Sequence, residues 1–222
     1  MTRLPETEAI AQVEDARRFN TVMGKGAIQR EYQALARRVL AMGLLQGGKI
    51  LDVGTGSGYV AIEIACQLNH RATVVGMDLS QAMLDCALEN AAARGVQNET
   101  AWKLGDAKAM PFSDGEFDLV VSSGSLHHWE DPTAVFDEIA RVLAPGGKFL
   151  VRDSKRISTF GAKTLAWAIG MTIPADFRKH YWGSIHSSYT IEELKVLLRR
   201  SALPEWAIEE DLLDLMVVRK GN

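Results

Sequence analysis

Cysteine is scarce in this chain, two in 222 residues, and both Cys66 and Cys86 fall at apolar positions of predicted helices. That excludes a disulfide framework and reads as two small core residues in a reducing compartment. A basic excess is also missing. The formal net charge is −3 and the pI is near 6.0, so the electrostatic footprint of a sequence-independent nucleic-acid binder is absent. No run of about 18 apolar residues goes without a charge, and Met1 to Glu8 carries acid where a leader would carry an apolar stretch. Export and a membrane span are therefore not expected, and the reading is a soluble cytoplasmic protein. Repeats and low-complexity tracts are lacking as well. The length nonetheless suffices to bury a full core in one domain without staples.

What is present is alternation. Pro5 to about Phe19 predicts a helix with a thin apolar stripe of Val13, Ala16 and Phe19, serving as a lid or a terminus. Thr21 to Gly26 breaks it, and from Ala27 a stronger helix carries Ile28, Tyr32, Leu35, Val39 and Leu40 on one side and ends near Gly43. Ile50, Leu51 and Val53 then form a short strand, Gly54, Gly56 and Gly58 a tight turn, and Val60 to Leu68 a helix. A second strand, Ala72 to Met77, closes on Asp78, and Ser80 caps a helix that stops at Gly95. Thr100 to Leu104 reads as a third strand and Phe117 to Ser122 as a fourth. Asp131 and Pro132 start a helix that Pro145, Gly146 and Gly147 end, and Lys148 to Val151 is a fifth strand.

Five strands alternating with helices predict a doubly wound α/β fold, a parallel sheet with helices on both faces and a ligand beyond the strands' C-terminal ends. Asp52, Asp78 and Asp106 collect at that end of three successive strands. From Arg152 the alternation stops. Ile157 to Ile173 is a weakly amphipathic apolar segment, Thr190 to Glu193 is a capping box for a helix through Arg200, and Trp206 to Arg219 fits two closing strands, with a helix over Leu212 to Val218 as the alternative on periodicity.

Two cofactor classes use a glycine turn after the first strand. A dinucleotide needs G-x-G-x-x-G so that its pyrophosphate lies on the helix N-terminus. Here the spacing is G-x-G-x-G, and Asp52 and Asp106 suit a cationic or hydroxyl- and amino-rich ligand better than one carrying two phosphates.

L-D-V-G-T-G-S-G at 51–58, G-M-D-L-S at 76–80, the segment from G-D-A-K-A-M-P-F at 105–112 through L-H-H-W-E-D-P at 126–132, and R-V-L-A-P-G-G-K-F-L-V at 141–151 resemble, in this order, the motifs of the class I S-adenosylmethionine-dependent methyltransferases. Within that family the resemblance is to the small-molecule branch that includes the ubiquinone and menaquinone C-methyltransferases. It implies a Rossmann-like methyltransferase fold with a doubly wound, mostly parallel seven-stranded sheet and helices on both faces. One domain would fill 1–222, with N-terminal helices or a lid at 1–45, the cofactor-binding core at 46–152, and a substrate-side elaboration with the closing strands at 153–222. The cofactor would be S-adenosyl-L-methionine, leaving as S-adenosyl-L-homocysteine, with no metal. Residue by residue, the resemblance implies that Gly54, Thr55, Gly56 and Gly58 give backbone access to the methionyl part and that Asp52 is turned to its ammonium side. Asp78 would take both ribose hydroxyls, Leu79 and Met83 would pack on the adenine, Asp106 and the Ala107 N–H would read its edge, and Ser123 would touch the cofactor from the fourth strand.

His127 lies close enough to the pocket to accept a proton from an acceptor that arrives protonated, or to position the substrate. Tyr181, Trp182, His186 and Tyr189 form an aromatic-polar cluster that could line a substrate site. The Ile157 to Ile173 segment fits an apolar wall for a lipid-like or aromatic small molecule, a lid, or a homodimer face. Arg152, Lys155, Arg156, Arg178 and Lys179 fit an anionic acceptor or a solvated surface. Two rival functions stay open at this level: a binding module that keeps the cofactor pocket without transfer, and an NAD-dependent oxidoreductase.

Overall fold

Sorting the apolar positions into faces produces seven strands and eight α-helices among the described residues of the computed structural model, which are 3, 12–43, 47–68, 72–157 and 159–220. The chain runs α1 (Val13–Met23), α2 (Gly26–Ala41), β1 (Lys49–Val53), α3 (Tyr59–Leu68), β2 (Thr73–Asp78), α4 (Gln81–Arg94), β3 (Thr100–Leu104) and β4 (Phe117–Ser123). A 3-10 turn (Leu126–His128) leads to α5 (Pro132–Val142), β5 (Leu143–Ser154), α6 (Phe160–Thr172), α7 (Arg178–Ser187), α8 (Ile191–Arg200), β6 (Trp206–Glu210) and β7 (Asp214–Arg219).

Local chemistry sets the helix ends. The Ser80 hydroxyl accepts the Met83 N–H at 3.2 Å to open α4, and Gly95, at φ 69°, closes it. Asp131 caps α5 through the Ala134 N–H, with Pro132 following at the first helical position. Thr190 and Glu193 exchange hydrogen bonds in a capping box at the head of α8.

The strand order is β3-β2-β1-β4-β5-β7-β6. The first five strands pair in parallel, and β7 runs antiparallel to both β5 and β6. Because β2 and β3 lie to one side of β1 and β4 to the other, the order reverses at β1, which opens a crevice at the C-terminal ends. Apolar residues fill both faces, as a covered parallel sheet requires. Leu51, Val53, Phe149, Val151, Leu215 and Val217 pack with α5 and α8, whereas Ile50, Leu119, Val121 and Leu150 pack with α2 and α3.

Three expectations change and one alternative drops out. The break between the first two helices shrinks to Gly24 and Lys25, because α1 continues to Met23; Pro5 lies outside the described residues. Helix α5 stops at Val142, before Pro145, Gly146 and Gly147, which lie inside a longer β5 whose register on β4 shifts between Phe117 and Leu119. The two closing strands expected over 206–219 are present as β6 and β7, and the helix alternative over 212–218 is not. Residues 178–187 form α7, a helix that periodicity did not reveal.

Candidate functional site

Five residues turn the chain from β1 into α3, and Gly54, Gly56 and Gly58 all take left-handed φ values, 68°, 54° and 80°. An L side chain there costs about 1–2 kcal/mol. Their surroundings differ. A Cβ on Gly54 would lie 2.6 Å from Ser125 Cβ, and one on Gly58 would lie 2.6 Å from the Trp102 ring and 2.9 Å from Ala87. Above Gly56 the space is open, with only the Met83 methyl within 4 Å, at 3.8 Å. Packing thus excludes a side chain at Gly54 and Gly58, while above Gly56 there is room.

The turn's N–H groups are largely spent inside the chain. Gly54 and Thr55 both donate to the Met77 carbonyl at 2.9 Å, Gly58 to the Thr55 carbonyl at 2.9 Å, and Gly56 to Asp78 Oδ2 at 2.8 Å. Asp52, only 1 % exposed, accepts the Thr55 hydroxyl at 2.6 Å and the Ala61 N–H near the start of α3. A carboxylate of the chain itself thus occupies the anion site that a helix N-terminus offers. Burial pushes the Asp52 carboxyl up to about 7 against these two hydrogen bonds, and the charge of Asp78 adds to the rise. A pyrophosphate would meet few free donors and a carboxylate here, which argues against dinucleotide binding.

Asp78, at the end of β2, holds the neighbouring wall. Its Oδ1 accepts the Ser80 N–H at 2.9 Å and its Oδ2 the Gly56 N–H, and with the Leu79 N–H as a third donor the carboxylate retains capacity for one more. Desolvation raises this carboxyl above its ordinary range, with the backbone N–H groups of Ser80, Gly56 and Leu79 opposing. Leu79 beside it is 61 % exposed, whereas Met83 is buried, its sulfur 3.8 Å from the Ser57 hydroxyl. Asp78 pairs with Leu104 across β2 and β3, which puts exposed Asp106 and half-buried Ala107 beyond the same end of the sheet. Asp106 accepts the Lys108 N–H at 2.9 Å, and Ser123 is the half-buried last residue of β4.

On the other side of the crevice, His127 is buried beneath the surface in the 3-10 turn. Its backbone N–H donates to Asp153 Oδ2 at 2.8 Å, and its Nδ1 lies 2.8 Å from Asp153 Oδ1. Ser122 and Ser125 share a 2.6 Å hydrogen bond beneath the glycine turn, and both hydroxyls reach the Val53 carbonyl. Sequence reasoning missed Asp153, Ser122 and Ser125. Asp153 carries the same signal as Asp52 and Asp78, an acid at a strand's C-terminal end, but the fifth strand was expected to finish at Val151.

The expected aromatic cluster divides. Tyr181, Trp182 and His186 share α7, with the Tyr181 and Trp182 rings at 5.3 Å and Trp182 and His186 at 6.3 Å. Tyr189 is instead in the core, under the Arg3 guanidinium at 4.2 Å. Tyr32 on α2 and Tyr59 on α3 stack at 5.5 Å, and the Tyr59 hydroxyl donates to Asn20 of α1. Close by, Arg152 at the end of β5 pairs with Asp214 of β7 and with Glu31 of α2. Burial pushes the Tyr32 hydroxyl well above its ordinary range, with Tyr59 and Glu31 adding to it, and burial, then Asp214 and Glu31, raise Tyr181 in the same sense.

Residues 51–151 match a protein family described as a methyltransferase domain. The uncharacterized protein YafE of Escherichia coli K12 is 44% identical over 82 residues, 37% of this chain and 39% of that protein. The ubiquinone/menaquinone biosynthesis C-methyltransferase UbiE of Geobacter sulfurreducens is 33% identical over 106 residues, 48% of this chain and 41% of that protein. The chain thus spans about two fifths of the length of these curated relatives. Among solved structures, a SAM-dependent methyltransferase from Aquifex aeolicus superposes with a TM-score of 0.67 at 16% identity, covering 93% of this chain and 97% of that one. Phosphoethanolamine N-methyltransferase 2 of Haemonchus contortus, in complex with S-adenosyl-L-methionine, superposes with a TM-score of 0.66 at 22% identity over 89% of this chain and 43% of that one. At these identities the structures establish the fold, and the expected doubly wound, seven-stranded Rossmann-like sheet is the one observed. Residues 51–151, a little under half of this chain, are thus similar to the methyltransferase domain family.

Proposed function

We propose that the chain is an S-adenosyl-L-methionine-dependent methyltransferase acting on a small molecule in the cytoplasm. The observation that carries this reading is the join at Gly56. Its N–H is tied to Asp78 while the space above it stays open, so a ligand can lie on the turn with its hydroxyls on a carboxylate that still has acceptor capacity. In this reading Asp78 holds the ribose, exposed Leu79 and Met83 cover the adenine, Asp106 and Ala107 read its edge, and Ser123 closes the floor. Asp52, its carboxyl pushed up to about 7, supplies part of a negative charge beneath the methionyl end near neutral pH.

When bound, the cofactor supplies a methyl group on a sulfonium, open to in-line displacement. The chain's contribution is alignment of the acceptor and exclusion of water. In this reading Arg152, Glu31, Asp214, Tyr32 and Tyr181, with Trp182 and His186, orient the acceptor. His127, doubly held by Asp153, fixes the turn after β4, and it takes the part of proton acceptor only for an acceptor that arrives protonated.

Titration calorimetry against S-adenosylmethionine, S-adenosylhomocysteine and NAD tests the reading, with binding of NAD alone as the outcome that sinks it. Asp78→Ala is expected to weaken the sulfonium cofactor by about 1.5–3 kcal/mol through loss of charge-assisted hydrogen bonds. Unchanged affinity would place the ribose elsewhere. Methyl-labelled cofactor incubated with a metabolite extract separates an enzyme from a module that binds without transfer.

A further inference from the structure

Helix α6 is built inside out. Its inward stripe is small, Ala162, Ala166 and Gly170, and it packs on α7, where the Tyr181 hydroxyl donates to the Ala166 carbonyl at 3.1 Å and a Cβ on Gly170 would lie 3.4 Å from the Tyr181 ring. Its outward ridge is large and apolar. Phe160 is 85 % exposed, Trp167 60 % and Met171 53 %, at i, i+7 and i+11 on one face, with Leu165 at 39 % along one edge. Lys163, the one charge on the helix, stands on the opposite edge.

We propose that this ridge docks the protein on an anionic lipid surface, with α6 lying in the interface. Three observations select that occupant. First, the unneutralised charges around the ridge are positive. Lys163 and Lys179 are exposed and make no ion pair among the described residues, Arg178 spends its guanidinium on backbone carbonyls of Ile173 and Met171, and the one acid of the two helices and their connection, Asp176, is paired with Arg18. A surface of that sign, in a chain of net charge −3, complements acidic headgroups and not a second copy of itself. Second, the exposed apolar area of the ridge is on the order of 400 Å², about half of the roughly 800 Å² per partner that a specific protein interface buries. It is ample for aromatic and aliphatic side chains entering the headgroup boundary. Third, α6 has 13 residues, roughly 20 Å of helix, against a hydrocarbon thickness of about 30 Å, and no described helix is long and apolar enough to cross a membrane. It can lie on a bilayer but not span one. Since α7 joins α6 to the side of the crevice that holds Arg152 and Asp214, a docked protein would have its acceptor side close to the lipid.

Docking does not depend on cofactor chemistry, so its test stands apart from the methyl-transfer reading. The full chain is sedimented with vesicles of phosphatidylcholine alone and with vesicles that also contain phosphatidylglycerol. Binding to the anionic vesicles, weakened by salt, is expected. The double variant Phe160→Ser, Trp167→Ser should bind at least about tenfold more weakly, and Lys163→Gln about fivefold more weakly. Both replace exposed side chains, and an unshifted unfolding temperature checks that the fold is retained. Absence of wild-type binding at low salt, equal binding by the double variant, or a concentration-dependent dimer in sedimentation that the double variant abolishes would each overturn the proposal, the last by assigning the ridge to a second copy.

Discussion

Asp52 is a carboxyl that burial pushes up to about 7, and this makes stability depend on pH in a direction opposite to that of an ion-paired acid. Its pKa rises from 3.8 to about 7 on folding, chiefly by burial, so the folded state binds the proton more tightly than the unfolded one. Stability from this group is fully present below about pH 4 and is lost as pH rises towards 7. Asp52→Asn, which never ionises, should therefore unfold at a higher temperature than the wild type above pH 7 and lose that advantage by pH 4. The ceiling is a few kcal/mol, at about 1.4 kcal/mol per pKa unit, and thermal melts across pH measure it. A difference independent of pH would mean that Asp52 is ionised throughout. The turn glycines separate in the same experiments. Gly58→Ala meets both left-handed strain and the Trp102 ring, and should cost about 2–5 kcal/mol of stability. Gly56→Ala has strain but no clash, and should cost about 1–2 kcal/mol while cutting cofactor affinity by about tenfold or more. The acids at strand ends were legible in the sequence because a polar residue closing an apolar run is a local signal. That Asp78 would bind the Gly56 N–H was not, since it requires β1 and β2 to be neighbours.

At the scale of elements, α1 is fastened through three consecutive residues, Arg18, Phe19 and Asn20. The Tyr59 hydroxyl donates to Asn20, Phe19 faces the Phe177 ring at 6.0 Å, and Arg18 pairs with Asp176. One hydroxyl on α3 and the α6–α7 connection together hold a helix that packs Ala16 against Ala82, Met83 and Cys86. Tyr59→Phe removes the hydrogen bonds and leaves the stack on Tyr32, and should cost about 1 kcal/mol. Amide exchange should quicken in Val13–Met23 and stay unchanged in β1; unchanged exchange in α1 would show that its packing suffices. Helices with caps or a broad apolar stripe were readable, as with α4, α5 and α8. The helix α7 was not, because its buried residues are mainly Ile185 and Ser187, too few to produce a period.

Across the whole molecule, the antiparallel β7 joins the two cores. Leu215 and Val217 face the α5 and α8 side while Val218 faces the other, and the pairing with β5 brings Asp214 to Arg152. Leu215→Ala should cost about 2–5 kcal/mol, as a fully buried deletion that leaves a cavity, and denaturant unfolding measures it. A cost below about 1 kcal/mol would mean that the strand repacks. By itself the sequence determined the alternation of strand and helix, the glycine turn, and the acids that close β1, β2 and β3, all of which follow from local periodicity and from the φ values that only glycine takes cheaply. The tertiary structure decided which of these meet. Strand order placed Asp78 on Gly56, β5 carried Asp153 to His127, and an inserted helix pair turned Phe160 and Trp167 outward. The first two contacts join residues 22 and 26 positions apart, and Arg152 meets Asp214 across 62 and Glu31 across 121; separations of that kind are set by sheet topology and packing, which no short window of sequence contains.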